Sequence, residues 1–109
     1  MSREAIRGSS GNVFADLGIA DAEEHRLKAG LVRKLAQVIA SRGLTQIEAG
    51  KLTGISQPDL SRVLRGQFRD MSSDRLIRAL THLDTEIDIS FTYQGQPVGD
   101  PIHLNAVPA

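Results

Sequence analysis

The chain of 109 residues contains no cysteine and only four aromatic residues. Without cysteine it can form neither disulfides nor thiolate metal sites, and it has no cysteine nucleophile, which suits a reducing compartment. With so few aromatic side chains, its core must consist mainly of Leu, Ile, Val and Ala, a composition that favours packed helices. The sequence also lacks a signal-peptide stretch and any apolar run of about 18 residues, roughly the length that crosses a membrane. These absences predict a single-domain, soluble, cytoplasmic protein.

An excess of charge of either sign is also missing, because 13 basic and 13 acidic side chains give a formal net charge of zero. The charges are unevenly distributed, however. Residues 31–78 carry nine Lys or Arg against four Asp or Glu, whereas residues 79–109 carry four acidic side chains and no Lys or Arg. A basic middle next to an acidic tail is typical of a segment that meets a polyanion beside one that does not, although a solvated mixture of charges would look the same.

Capping signals divide the chain into three parts. Residues 1–20 are predicted as a tail with a short helical turn at 12–18, residues 21–84 as a helical domain, and residues 85–109 as a C-terminal strand and tail. Each predicted helix of the domain begins at a residue that can cap its first turn: Asp21, Thr45 (a capping box with Glu48), Ser56 and Ser72. The first helix ends before Gly43 and carries an apolar stripe that should face the core: Leu27, Leu31, Leu35 and Ile39.

Two short helices separated by a glycine occupy residues 45–66. A steep crossing of two helices needs a glycine at the turn, a small residue at the contact and apolar residues beside the turn, which here are Gly54, Ala49, Leu52 and Ile55. The second helix carries a hydrophobic staple of Ile55 and Leu60 around its cap. Pro58 takes the second helical position, where its missing N–H costs nothing, and Gly66 can end the helix in a left-handed conformation.

The segment from Leu44 to Gly66 opens with Leu-Thr-Gln, turns at Gly-Ile-Ser and closes with Arg-Gly. In these motifs it resembles the helix-turn-helix of the Cro/repressor-like (XRE) transcriptional regulators. With the stretch Asn-Val-Phe-Ala-Asp-Leu-Gly at 12–18 and the long first helix, residues 10–90 resemble the subgroup that includes HigA-type antitoxins. The resemblance implies a mainly α, lambda-repressor-like helical bundle with a helix-turn-helix, to which the C-terminal region adds a β-strand or hairpin.

The resemblance also implies that the second short helix lies in the DNA major groove and reads base edges from its first turns. Carried onto this sequence, it makes the following residues candidates for base reading: Gln57, Pro58, Ser61 and Arg62. A Gln can bond adenine and an Arg guanine through two hydrogen bonds each, whereas Pro58 offers only shape and apolar contact, for instance to a thymine methyl. The candidates for phosphate binding are Gln46, Ser56, Arg65 and Arg69.

The same residues also allow simpler interpretations that involve no DNA. Gln46 and Gln57 could be exposed polar caps, and the arginines could form a solvated face. Asp59 puts a negative charge on the face meant for DNA, which its position in the cap and its proximity to Arg62 would explain.

From Ile87 to Tyr93 apolar side chains alternate with polar ones, the pattern of a half-buried strand, and residues 94–97 follow as a turn. A lone strand is unstable, so it must pair with residues 98–104, with a second copy or with another protein's sheet edge. Pro101 is expected to interrupt the first pairing. We therefore favour a homodimer, which would bind two half-sites about one DNA turn apart, through four strand residues: Ile87, Ile89, Phe91 and Tyr93.

No catalytic residue, metal site or cofactor is predicted. The three histidines, His25, His82 and His103, lack metal-ligand spacing, and the sequence has neither a nucleophile elbow nor a phosphate-binding loop. The leading hypothesis is a non-enzymatic dimeric repressor that binds a palindromic operator in double-stranded DNA. It would be the antitoxin of a toxin–antitoxin pair and would autoregulate its operon, with the toxin at the sheet edge or at the apolar 13–17 segment. The alternatives are a stand-alone or phage-type regulator without a toxin, and a protein-interaction module that has lost DNA binding.

Overall fold

The computed structural model describes residues 21–105, so the predicted helical turn at 12–18 lies outside the described residues. The described part contains helices α1 (Asp21–Ser41), α2 (Gln46–Thr53), α3 (Gln57–Leu64) and α4 (Ser73–His82). Four short strands follow: β1 (Ile87–Ile89), β2 (Thr92–Tyr93), β3 (Gln96–Pro97) and β4 (Ile102–Leu104). The predicted mainly α fold with a C-terminal hairpin is confirmed. None of the described helices is long and apolar enough to cross a membrane.

The three short helices begin at the predicted hydroxyl caps. The Thr45 hydroxyl accepts the Glu48 N–H, and the Glu48 carboxylate accepts the Thr45 N–H at 2.8 Å, which completes the capping box and lowers the pKa of Glu48. Ser56 and Ser72 cap α3 and α4 in the same way. Such a cap stabilises a helix by about 1 kcal/mol, because it satisfies an N–H group that has no partner within the helix.

The hydrophobic core lies where α1 packs on α4 and where α2 and α3 close over them. As the composition predicts, this core is aliphatic apart from one aromatic ring. Its buried members are Val32, Leu35, Ile39, Ala49, Ile55, Leu60, Val63, Phe68, Met71, Leu76, Ala79, Leu80 and Leu83. The predicted staple residues Ile55 and Leu60 are both almost fully buried in this core.

The buried face of α1 differs from the predicted stripe. Leu35 and Ile39 are buried as expected, but Leu27 and Leu31 are only half-buried. Residues spaced by four rotate by about 40° per step around a helix of 3.6 residues per turn, so a strict i, i+4 row drifts away from a straight interface. The row that does face the protein combines steps of four with one step of three: Glu24, Lys28, Val32, Leu35 and Ile39.

The C-terminal strands form one interrupted β-hairpin. In β1 and β4, Ile87 lies opposite Leu104 and Ile89 opposite Ile102. In β2 and β3, Tyr93 lies opposite Gln96 across a two-residue turn. Gln94 and Gly95 form this turn with φ values of 52° and 80°, the left-handed pair that fits the twist of a hairpin. The predicted turn at 94–97 is therefore too long, because Gln96 and Pro97 already belong to β3.

The pairing within the chain contradicts the expectation that Pro101 would prevent it. The register shifts between the two halves of the hairpin, so the returning arm holds extra residues between Val98 and Ile102. Pro101 lies in this bulge, where no ladder hydrogen bond needs its missing N–H. The predicted continuous strand 87–93 is likewise broken at Ser90 and Phe91.

Within residues 21–105, the base of the hairpin packs on the helices. Ile87 packs against the helical core, and Leu104 is half-buried beside α4. Beyond this base, three apolar side chains of the predicted half-buried strand are exposed: Ile89, Phe91 and Tyr93. Val98 and Ile102 on the returning arm are exposed as well.

Candidate nucleic-acid interface

The turn between α2 and α3 depends on two glycines. Gly54 ends α2 in a left-handed conformation with φ of 80°, and its N–H donates to the Gly50 carbonyl at 2.9 Å. A Cβ atom on Gly50 would lie 2.8 Å from the Ile55 carbonyl oxygen, closer than such atoms approach. The sequence pattern identified Gly54 and Ala49 but not Gly50. Its only signal was a glycine inside a helix, four residues before the turn.

Leu52 was expected to flank the turn as an apolar contact, and the structure corrects this. Its side chain is 43% exposed, whereas Ile55 on the other side of the turn is 1% exposed. The buried face of the short helix α2 consists of Ala49 and Gly50, and Leu52 lies on a different face.

The outer face of α3 brings the four predicted base-reading residues together. Leu60 and Val63 point into the core, which fixes how the helix is rotated. At about 100° per residue, the remaining positions 57, 58, 61 and 62 share one side of the helix, and Arg65 lies among them. Gln57, Pro58, Arg62 and Arg65 are exposed, and Ser61 is half-buried. This face can therefore meet a large partner without any change of fold.

A hydrogen bond joins the first residues of the two short helices. The Gln57 Nε2 donates to the Gln46 Oε1 at 3.0 Å. Gln57 keeps its second N–H and its own carbonyl oxygen, the donor and acceptor that an adenine edge requires. Gln46 keeps both N–H groups of its amide, which suit a phosphate oxygen. Gln57, a predicted base-reading residue, is thus held in place by Gln46, a predicted phosphate-binding residue.

Arg62 is paired within the same helix. Its Nη2 lies 2.7 Å from the Asp59 Oδ1, and both side chains are about half exposed. The Arg62 hydrogen bond, followed by the Ser56 hydroxyl, lowers the pKa of Asp59, while the same pair raises the pKa of Arg62. The proximity of Asp59 to Arg62 that the sequence predicted is confirmed.

Arg65 bonds to a neighbour on the same face. Its Nη1 donates to the Ser61 hydroxyl oxygen at 2.6 Å. The Ser61 hydroxyl keeps its own proton for donation to another acceptor. The predicted phosphate contact at Arg65 and the predicted base contact at Ser61 are thus neighbours, and one can orient the other.

Arg69 lies in the loop after α3 and is not part of the outer face of that helix. Its backbone carbonyl is bound by a lysine of α1. The Lys28 Nζ donates to the Arg69 carbonyl oxygen at 3.0 Å and lies 3.7 Å from a Glu24 carboxylate oxygen. Lys28 and Glu24 are both buried, although their sequence pattern is that of a solvated helix surface. Beside them, the His25 ring stacks on Phe68 with centroids 5.0 Å apart. Sequence reasoning missed this anchor of the loop.

The geometry is that of a binding surface rather than a metal centre. Across residues 21–105, no group of three or more His, Asp or Glu side chains could hold a metal ion. Two short helices crossing at a glycine turn, with a polar outer face on the second helix, define a helix-turn-helix protein. In this class the second helix enters the DNA major groove.

Comparison with protein families agrees with this class. A family model described as a helix-turn-helix domain matches residues 13–92, and the chain belongs to this family. A solved structure, provisionally named an XRE family transcriptional regulator, is similar with a TM-score of 0.65 and 28% sequence identity. The match covers 83% of this chain and 100% of the other. Among curated proteins, none matches the sequence.

Proposed function

We propose that the protein is a sequence-specific DNA-binding transcriptional regulator, a repressor that places α3 in the major groove. The observation that carries this proposal is the exposed polar face of α3, joined to the N-terminus of α2 by the Gln57–Gln46 hydrogen bond. The helix-turn-helix family and the name of the structural relative support it.

The proposed contacts divide into reading and positioning. Base edges would be contacted by Gln57, Pro58, Ser61 and Arg62, with Gln57 directed to adenine and Arg62 to guanine. Phosphates would be bound by Gln46, Ser56, Arg65 and Arg69. The cap hydroxyl of Ser56 and the amide of Gln46 lie at helix N-termini, where the N–H groups also favour phosphate oxygens.

The proposal can be tested with the DNA upstream of the gene that encodes this chain. Binding should weaken steeply as the salt concentration increases. Each phosphate contact releases counterions from the DNA, and added salt makes this release less favourable. Arg62→Ala should reduce the preference for that DNA over a shuffled duplex by about tenfold, on the scale of one lost bidentate base contact. Arg78→Ala, which removes the same charge from α4, is the matched control and should leave the preference unchanged. Equal affinity of the unaltered protein for both duplexes would contradict sequence-specific binding.

We further propose that the protein acts as a homodimer on a palindromic operator. One copy carries a single reading helix and no net charge, so two copies on adjacent half-sites would raise affinity. The exposed apolar residues Ile89, Phe91 and Tyr93, flanked by Val98 and Ile102, are the proposed dimer surface. Ile87, which packs on the helices, would fix the hairpin to its own domain.

Phe91 provides the test of the dimer. Phe91→Asp should shift the protein to a monomer in sedimentation and weaken binding to the palindromic duplex, while a single half-site is bound as before. Thr92→Asp, on the neighbouring exposed position, is the control. A Phe91→Asp protein that stays dimeric would place the dimer contact elsewhere.

The proposed biological role is that of the antitoxin in a toxin–antitoxin pair that represses its own operon. The resemblance of residues 10–90 to HigA-type antitoxins supports it, and the exposed hairpin edge can accept a strand of a partner protein. Co-expression with the protein encoded next to this chain should yield a stable complex and relieve growth arrest. A neighbour that is harmless when expressed alone would favour a stand-alone regulator instead.

A further inference from the structure

Asp59 contributes to α3 through its backbone and, separately, through its carboxylate. The hydrogen bond from the Asp59 N–H to the Ser56 hydroxyl uses its backbone. At the equivalent position of α2, the Glu48 carboxylate turns back to the cap N–H of Thr45, whereas the Asp59 carboxylate turns forward to Arg62. The third residues of α2 and α3 therefore make different contacts. Glu48 completes its own helix cap, whereas Asp59 bonds to Arg62.

A charge at Asp59 favours the first turn of α3 whichever way the carboxylate turns, and neither ion-pair strength nor DNA affinity explains its turn toward Arg62. The Asp59–Arg62 pair is about half exposed, and exposed ion pairs contribute little to stability because water and salt screen them. A negative charge beside the DNA-facing side of α3 also repels phosphate and weakens binding to any duplex. The turn of the Asp59 carboxylate therefore acts on Arg62. It sets the orientation of the guanidinium and limits which groups the guanidinium can bind.

The geometry points to Asp59 as a specificity-determining, positioning residue that aims Arg62 at guanine and restrains it from phosphate. This inference rests on the proposed DNA binding. The contact at one Nη2 hydrogen leaves the other N–H groups of the guanidinium available as donors. A flexible, unpaired Arg62 would bind phosphates of any sequence, whereas the paired side chain is already ordered before DNA arrives. Specificity here depends on an unfavourable contact with the wrong partner as well as on a favourable one.

The experiment compares Asp59→Asn with the unaltered protein on a duplex that the unaltered protein has selected from a randomised library. Kd is measured for that duplex, for variants with each guanine replaced, and for a shuffled duplex. For Asp59→Asn, we expect roughly two- to fivefold tighter binding of the shuffled duplex and a roughly two- to fivefold loss of discrimination at one guanine, the scale of one exposed ion pair. Asp100→Asn, which removes the same charge from the exposed bulge of the hairpin, should change neither value. The melting temperature of Asp59→Asn should fall only slightly, because the Ser56 bond to the backbone N–H remains and only a favourable first-turn charge is lost.

A double-mutant cycle separates positioning from direct reading. In an Arg62→Ala background, Asp59→Asn should leave the base preferences unchanged, because the residue through which it acts is gone. An equal loss of discrimination in that background would show that Asp59 contacts a base itself and would overturn the positioning role. If the unaltered protein selects no sequence, the proposed function and this inference fall together. If it selects one and Asp59→Asn keeps the full guanine preference, only the role of Asp59 is overturned.

Discussion

Two regions of the molecule differ in how far they bury their apolar side chains. One is the helix-turn-helix unit of α2 and α3, and the other is the C-terminal hairpin. In the first, Ile55, Leu60 and Val63 are almost fully buried, and the polar groups at the helix starts are paired. In the second, Phe91 and Tyr93 stay 50% and 68% exposed, although the backbone is paired. The unit of α2 and α3 packs into the core of its own chain and exposes two large apolar side chains, Ile47 and Leu52, whereas the hairpin exposes five and leaves an apolar surface that suits a partner.

The largest contrast should come from truncating one apolar side chain in each region. Leu60→Ala should lower the free energy of unfolding by about 2–5 kcal/mol, because a fully buried side chain leaves a cavity. Phe91→Ala should change it by less than about 0.5 kcal/mol at concentrations where the protein is monomeric. Urea denaturation measures both values. Similar losses would mean that the hairpin packs on the helices more extensively than its exposure indicates.

A second contrast concerns two glycines inside helices. Gly50→Ala should destabilise the protein by about 1–3 kcal/mol, because the added Cβ would meet the Ile55 carbonyl oxygen at 2.8 Å. Gly30→Ala in α1 meets only the far end of Arg33 at 3.8 Å and should stabilise by up to about 1 kcal/mol through helix propensity. Thermal unfolding followed by circular dichroism distinguishes the two signs. A stabilising Gly50→Ala would show that the crossing of α2 and α3 tolerates a wider separation.

A serine substitution in each region gives a smaller contrast. Ser56→Ala removes the cap of α3 and should cost about 1 kcal/mol. Ser90→Ala, at an exposed position between β1 and β2, should be neutral within about 0.5 kcal/mol. The Ser56 variant should also exchange the amide hydrogens at the start of α3 faster. Equal protection in both proteins would leave the cap without a measurable role.

The smallest effect should be the pH dependence of the hairpin. His103 in β4 contacts the carboxylate of Asp88 in β1, and its Nε2 lies 3.7 Å from a carboxylate oxygen of Glu86. The hydrogen bond to Asp88, followed by the negative charge of Asp88, raises the pKa of His103. A raised pKa in the folded state stabilises pairing at pH values below the pKa of the unfolded chain. This stabilisation disappears as pH rises through the folded pKa. An NMR titration of His103 should give a pKa above that in Asp88→Asn, and an unchanged pKa would contradict the contact.

Local signals predicted the unit of α2 and α3 well. The capping box at Thr45, the staple of Ile55 and Leu60 and the left-handed Gly54 each act within a few residues, so their sequence patterns are sufficient to place them. The same reasoning placed Asp59 beside Arg62, because residues three apart meet on a helix. The bonds from Gln57 to Gln46 and from Lys28 to Arg69 join separate elements, and no local pattern announces them.

Patterns along the chain were enough to predict where the three short helices begin, that the core is aliphatic, and which side chains share the outer face of α3. Contacts between elements were needed to show which face of α1 is buried, that Gly50 must lack a Cβ, and that the bulge around Pro101 lets the C-terminal strand pair within the chain. The two groups of features differ in the range of the interactions that produce them. Caps, turns and helical periodicity depend on neighbours along the chain, whereas burial, close backbone approach and strand pairing depend on what other elements bring to the same place.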